Sequence, residues 1–360
     1  MGFEYKRYTP PKKQKKLHSI IREEVYKDRS EFWGGQVSIA FPKQIRMGEK
    51  VTFVVCVDGV GTKILVAQLA NQFKSIGIDA VAMTVNDVVC SGAQPFAFSD
   101  YLAYHAEMDE EVVKEIFEGI KDGCKDAMVE VVSGETAEMT QMLKGMVPES
   151  TFDLAGCAVG ILLEKPILGE AIKNSDIVVG LESNGLHSNG FTLARPTLLK
   201  AFNPTAKYEV DTVFEPTGES ICKELLRPTR IYVKEAMEAL KELDIHGLGH
   251  VTGGGFTKLL RWCRHTKCGF VFNNLPPPPP IMSEIQESAG VELMEMYATF
   301  NMGIGFCFVL PPDQVDDLIN ICERNGTRAF AIGEATTENP GAIQIIVGRS
   351  SFSFRMSDDS

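Results

Sequence analysis

Val51-Thr52-Phe53-Val54-Val55-Cys56-Val57-Asp58-Gly59-Val60-Gly61-Thr62-Lys63 is the stretch on which the reading turns. Val51–Val57 is an apolar, β-branched run long enough for a buried strand. It stops abruptly at an acid, two glycines, a threonine and a lysine. Gly59 and Gly61 let a backbone approach a ligand closely and present its N–H groups. Lys63 is a point charge suited to a phosphate, and Asp58 is a hard oxygen ligand suited to Mg²⁺. The spacing is neither that of a Walker A loop nor G-x-G-x-x-G. Alone, it also fits a plain glycine turn between strand and helix.

Outward from this stretch, the pattern predicts alternating strands and helices. Ile78, Val81, Val85, Val88 and Val89 share a helical face over 78–89. Residues 96–101 read as a strand, and Asp109 is an N-cap for a helix with Val112, Val113, Ile116, Phe117, Ile120 and Cys124 at helical intervals. Residues 129–132 read as a short strand running into a loop, Ser133-Gly134-Glu135-Thr136-Ala137-Glu138, and 153–163 as another strand. The character resets near Lys165-Pro166. Beyond it come a strand over 177–181, the loop Asn184–Gly190, and helices over 191–200, part of 218–226, and 228–243. A proline connector (276–280), a strand (304–309), a helix (313–325) and a strand (342–347) complete the pattern. The expected organisation is a 1–50 arm and lid segment, domains at 51–165 and 166–347, and a flexible tail at 348–360. The irregular alternation argues for an α+β fold of two α/β-layered domains.

Composition narrows the function. The 360 residues suit two domains. A net charge of -12 argues against non-specific nucleic-acid binding. Residues 1–30 run the other way, with nine Lys/Arg against four Asp/Glu, and read as a solvated head or a contact for an acidic partner. The nine cysteines are scattered without a CxxC pair, which reads as reduced thiols in a cytoplasmic protein. No apolar run approaches the ~20 residues that span a bilayer.

Further constellations join the first. Asn86-Asp87 interrupts an apolar helix, and Asp79 lies about two turns before Asp87, so one helix can carry both carboxylates on one side. Glu135, Thr136 and Glu138 follow a strand. Carboxylates beside polyphosphate make sense with a divalent metal between them, so Asp58, Asp87 and Glu135 together suggest a Mg-nucleotide site. His187 sits in a loop too polar and glycine-rich to read as core. Thr252-Gly253-Gly254-Gly255, before a predicted helix at 256–262, suits an anion cradle or a simple turn.

The ordered set VDGVGTK, GIDAVAMTVNDVVCSGAQPFAFSDYLA, SGETAEM, SNGLHSNG, LLRPTRIYVK, HVTGGG and MYATFNMGIG, spread over roughly residues 50–335, resembles the aminoimidazole ribonucleotide synthetase (phosphoribosylformylglycinamidine cyclo-ligase) family. The resemblance implies a ligase of purine biosynthesis that uses ATP and Mg²⁺. ATP would activate the formyl amide oxygen of formylglycinamidine ribonucleotide as an iminophosphate, and the amidine nitrogen would close the ring. It implies a homodimer whose N-terminal sheets join into a barrel across the interface. Mapped onto this chain, it implies catalytic roles for His187, Lys63 and Asp87. Nucleotide contacts fall on Asp58, Gly59, Gly61, Thr62, Lys63, Asn86, Glu135, Thr136 and Glu138. Metal ligands fall on Asp58, Asp79, Asp87 and Glu135, and substrate contacts on Ser188, Asn189, Thr252, Gly253 and Gly254. The partners implied are a small ribonucleotide and a second copy of the chain, with neither nucleic acid nor membrane.

The chain also departs from the family pattern. A lysine-rich start and Gly34-Gly35-Gln36 stand where the family carries a glycine-rich lid, and Thr140-Gln141-Met142-Leu143 replaces PGMY. Two alternatives therefore stay open: an ATP-dependent kinase or synthetase for another small molecule, and a non-catalytic nucleotide-binding paralogue.

Overall fold

Seven residues from Phe53 to Gly59 form strand β1, whose side chains alternate between exposed and half-buried as a one-faced strand requires. The structure, a computed structural model, describes residues 50–162 and 164–356, together with Lys16, Ile20, Glu23 and Glu24. The expected lid remnant Gly34-Gly35 and nearly all of the 1–50 arm lie outside the described residues. After β1, a single 3₁₀ turn (Gly61–Lys63) leads into α1 (Ile64–Ala70) and α2 (Lys74–Val89). Strand β2 (Ala93–Tyr104), helix α3 (Glu110–Ala127), and strands β3 (Glu130–Glu138) and β4 (Phe152–Leu162) follow. The four strands make one sheet in the order β1-β4-β2-β3, with β2–β3 parallel and the other pairs antiparallel.

One face of this sheet carries the helices. Gly156 and Gly160 of β4 lie under α2, where a Cβ would come within 2.7 Å of the Ala80 carbonyl and 2.4 Å of Val88. Register then assigns the remaining residues. Asp58, Gly156, Asp100 and Gly134 form one row across the sheet on the α2 face. The next row, Gly59, Ala155, Tyr101 and Glu135, lies on the opposite, open face. Helix α3 packs against α2 at unusually close range: a Cβ on Gly77 would stand 2.0 Å from the Ile116 carbonyl, and one on Gly119 1.9 Å from the Lys74 carbonyl.

The second half is built on seven strands. They are β5 (Ile177–Glu182), β8 (Gly247–His250), β9 (Gly269–Phe272), β10 (Ile304–Leu310), β11 (Ala329–Thr336), β12 (Ala342–Val347) and β13 (Ser350–Arg355). Their order is β13-β12-β9-β11-β5-β10-β8, with β9–β12 the parallel pair; β6 (Val213–Phe214) and β7 (Glu219–Ser220) form a separate small ladder. Strand β10 is buried along its whole length, as its unbroken apolar run requires. Helices α4 (Phe191–Leu198), α5 (Ile221–Leu225), α6 (Val233–Glu242), α7 (Pro280–Ala289), α8 (Leu293–Thr299) and α9 (Val315–Arg324), with a 3₁₀ helix over Gly255–Arg264, pack around it. No described helix is long and apolar enough to cross a membrane.

The fold is α+β as expected, but several local expectations need correction. Ser133–Glu138 is strand, not loop. Residues 228–232 are not helical; α6 starts only at Val233. Pro280, placed in a connector, opens α7, where a missing N–H costs nothing in the first turn. The tail expected from Gly348 contains β13, paired along its length with β12. Among the described residues no barrel closes within one chain, since β1 and β3 end the sheet with no strand beyond them.

The α2–α3 contact gives a stability test. Gly119→Ala forces the two helices apart and should cost about 1–3 kcal/mol in denaturant unfolding. Gly218→Ala is a poor control because its φ is +72°, whereas Ala298→Gly combines helix propensity in α8 with the loss of one methyl packed on the core and should cost about 1–2 kcal/mol.

Candidate active site

Asp58 and Asp87 are the carboxylates that the fold brings together. Asp58 ends β1 on the α2 face and accepts the Gly59 N–H at 2.8 Å. Asp87 lies in the last turn of α2. Cys56, two residues before Asp58 on the same face, has its thiol pushed up to about 12 by burial and then by the Asp87 and Asp58 charges. Burial also raises the Asp58 carboxyl above its ordinary range; the Gly59 N–H opposes the shift and the Asp87 charge adds to it.

Asp87 is held by residues from the other half of the chain. Its Oδ1 accepts the His250 Nδ1–H at 2.8 Å, and Lys258 Nζ stands 3.6 Å from Oδ2. Burial works against ionisation here, yet the His250 hydrogen bond and the Lys258 and Arg261 charges hold the carboxyl down at about 2. Burial lowers the His250 imidazole below its ordinary range, so the ring is neutral at pH 7 and donates from Nδ1. Its Nε2 faces Asn86 Nδ2 at 3.4 Å. Lys258 is one-third exposed and hydrogen-bonds the Thr252 hydroxyl.

The glycine-rich turn closes onto the same region. Gly253 and Gly254 are exposed, and Gly254 has φ +87°, which favours glycine. A Cβ on Gly253 would lie 2.9 Å from Asn189 Oδ1, so the 184–190 loop and the 252–255 turn meet. Asn189 Nδ2 is buried and has no hydrogen-bond partner. Thr252, Gly253, Gly254 and Asn189 therefore lie together.

Other expected ligands are used internally. Lys63 and Asp79 are both fully buried and paired at 2.7 Å. Lys63 also donates to the Arg227 carbonyl at 2.7 Å, and Asp79 Oδ1 accepts the N–H and hydroxyl of Thr229, each at 2.7 Å. Burial lowers the Lys63 pKa, with Asp79 opposing. A lysine so enclosed cannot reach a phosphate, and Asp79 has no face left for a metal. Asn86 is likewise spent: it donates to the Arg230 carbonyl and accepts the Tyr232 N–H, each at 2.9 Å. Ser188 bonds Thr229 at 3.1 Å.

Glu135 and His187 also need correction. Glu135 lies on the open face at the edge opposite β1, three strand spacings or about 14 Å from Asp58. It cannot join Asp58 within one chain. Thr136 and Glu138 are on β3 as well, Glu138 accepting the Thr140 hydroxyl at 2.5 Å. His187 is buried, at φ +62°, inside a loop expected to be open. Its Nε2 accepts the Asn184 N–H at 3.1 Å, so the remaining proton is on Nδ1, which has no partner. Burial first, then the His250, Lys63 and Arg230 charges, holds its pKa well below the usual value. A sealed, neutral imidazole is a poor proton shuttle. Gly59, Gly61 and Thr62 remain at the β1–α1 turn; Gly61, at φ +70°, has open space around it and Thr62 is exposed.

Mg²⁺ can be tested against these residues. Among the described residues, no three His, Cys, Asp or Glu side chains gather closely enough to hold an ion. The two carboxylates Asp58 and Asp87 fit instead an ion that arrives with a polyphosphate, since Mg²⁺ usually takes one or two carboxylates plus phosphate oxygens.

Neither Lys258 nor His250 was assigned a role from the sequence, although His250 opens the HVTGGG motif. The signal, Lys258 beside Thr252 and Asp87 and His250 bonded to Asp87, shows only in three dimensions.

Residues 42–162 match the family model "AIR synthase related protein, N-terminal domain", and 173–346 the corresponding C-terminal domain. The phosphoribosylformylglycinamidine cyclo-ligase of Pyrococcus horikoshii is 44% identical over 292 residues, 81% of either chain. That of Methanothermobacter thermautotrophicus is 42% identical over 298 residues, 82% of this chain and 83% of the relative. That of Methanocaldococcus jannaschii is 38% identical over 322 residues, 89% and 87% of the two chains. Among solved structures, the hydrogenase maturation protein HypE of E. coli superposes with TM-score 0.66 at 15% identity over 96% of both chains. Thiamine-monophosphate kinase of Stenotrophomonas maltophilia superposes with TM-score 0.62 at 18% identity, over 91% of this chain and 95% of the other. Both structural likenesses are of fold alone.

The buried ion pair is testable by a double-mutant cycle. Lys63→Met and Asp79→Asn should each destabilise by about 3–5 kcal/mol in chemical unfolding, because each strands a buried partner. The double variant should lose clearly less than the sum. Simple additivity would mean that the two side chains act separately.

Proposed function

The chain belongs to the AIR synthase family, and we infer that it is a phosphoribosylformylglycinamidine cyclo-ligase, an ATP-dependent enzyme of purine biosynthesis. The observation that carries this reading is the 38–44% identity to cyclo-ligases over most of each chain. The alternative of a kinase or synthetase for another small molecule, which the altered N-terminus suggested, is not favoured beside that identity.

The reaction turns a poor leaving group into a good one. The formyl amide oxygen accepts the terminal phosphoryl group of ATP, giving an iminophosphate. The amidine nitrogen of the same molecule attacks that carbon, the ring closes, and phosphate departs with the oxygen. Closure is intramolecular, so holding the chain folded supplies much of the rate. Asp58 and Asp87 are the residues that would hold Mg²⁺ brought in with ATP, and the ion would neutralise charge on the phosphates. His250 holds the Asp87 carboxylate in one orientation through Nδ1. Asn189 and the Thr252–Gly254 turn supply polar contacts for the ribonucleotide, with Asn189 Nδ2 as a ready donor. Gly59, Gly61 and Thr62 border the nucleotide. His187 and Ser188 support the loop that carries Asn189.

We place the active protein as a homodimer in the cytosol. The open face of the N-terminal sheet exposes Phe53, Val55 (60% exposed) and Val57 (69%), with Tyr101 beside them. Such a contiguous apolar strand face is unusual on a free surface. A second copy covering it would form the interface barrel and would enclose Glu135, which gives that residue a place near a site despite its distance from Asp58. The nine cysteines are all free, which suits a reducing compartment.

Three experiments test this reading. Purified protein with ATP, millimolar Mg²⁺ and formylglycinamidine ribonucleotide should form aminoimidazole ribonucleotide. Asp87→Asn should lower kcat/KM on the order of 100-fold while leaving the thermal midpoint within a few degrees; equal loss of fold and activity would make Asp87 structural. In sedimentation, wild type should run as a dimer and Val57→Lys as a monomer. A monomeric wild type would remove the barrel.

A further inference from the structure

The reaction needs a cation beside the phosphoryl group, and the lysine that the sequence points to is sealed away. Lys63 is fully buried, with its ammonium shared between Asp79 and the Arg227 carbonyl. Arg227 pairs with Glu224 and Arg230 with Glu182, while Arg261, whose charge also reaches Asp87, has its Nη2 buried. Lys258, by contrast, is one-third exposed and stands between the Thr252 turn and Asp87. Its Nζ is 3.6 Å from Asp87 Oδ2, it bonds the Thr252 hydroxyl, and its charge acts on both Asp58 and Asp87.

We propose that Lys258 contacts the terminal phosphate of ATP and is the cation that neutralises it, in the position expected of Lys63. The proposal rests on the cyclo-ligase reading above. An ammonium has three donors. Thr252 takes one and the long approach to Asp87 engages a second, so a third is free for an oxyanion. Asp87 is also the carboxylate that would hold the ion bound to the same phosphate. A lysine touching that carboxylate therefore stands within reach of the group being transferred. The arrangement has a second effect: Lys258 is on the 3₁₀ helix of the second half and Asp87 on α2 of the first, so the phosphate is gripped from both halves of the chain.

The experiment compares ATP with ADP, which lacks the contacted phosphate. Calorimetry on the intact protein, with Mg²⁺, should show that Lys258→Met weakens ATP by about 10-fold or more, as expected for a lost charge-assisted hydrogen bond. ADP affinity should change about twofold or less, so the ATP-to-ADP preference collapses. Lys258→Arg should recover part of the preference. A loss that falls equally on ATP and ADP would point to distortion of the Thr252 turn and overturn the proposal. So would a selective rise in KM for the ribonucleotide, which would put its 5′-phosphate at Lys258 instead. If wild type neither binds ATP nor turns over, the cyclo-ligase reading fails; if wild type does both and Lys258→Met matches it, only the Lys258 proposal fails.

Discussion

Residues 227–232 have no secondary structure to satisfy their backbone, yet they run through the buried seam between the two halves. Every polar backbone group in such a place needs a partner. The partners are side chains of the first half: Lys63 takes the Arg227 carbonyl, Asp79 the Thr229 N–H, and Asn86 both the Arg230 carbonyl and the Tyr232 N–H. The second half adds Asn184, which donates to the Pro228 carbonyl at 3.2 Å. The whole site depends on this seam, because Asp87 sits one residue beyond Asn86 and receives its own hydrogen bond from across it. Moving the seam would part Asp87 from His250 and Lys258.

That seam explains where sequence reasoning succeeded and where it did not. Apolar periodicity showed β1, α2, α3, β10 and α9, because each presents one long face or one unbroken run to a core. It did not show β8, a four-residue strand containing two glycines, or β9, equally short. Strand β3 was hidden for another reason. Its polar end, Ser133–Glu138, is an edge, and one of its faces is open, so nothing demands apolar residues there. Residues 228–232 read as helix because their composition permits one. Their true conformation is imposed by side chains that lie about 140–165 positions earlier.

The site divides in the same way. Polar residues in apolar surroundings were visible as a class, and the Asp87 charge does reach Asp58. What one-dimensional reading lacked was direction. Lys63, Asp79 and Asn86 have the residue types of ligands, yet they face inward to the seam. Glu135 differs from its neighbour Gly134 by one step on a pleated strand, and that step puts it on the far face. Asp100, in the same row as Asp58, drew no attention in the sequence. Its carboxyl fills the space above Gly134 and is raised to about 7 by burial, with Glu135 adding to the shift.

A history is written into the seam as well. The groups that fix one half in place are contributed by the other, and the charges around Asp87 are contributed in the same crossed fashion. Recombination that replaced either half with a counterpart from a distant cousin would bring in foreign side chains against a backbone needing these particular ones. The two halves are therefore bound to descend together, and lineages that diverge must alter both sides of the contact in step.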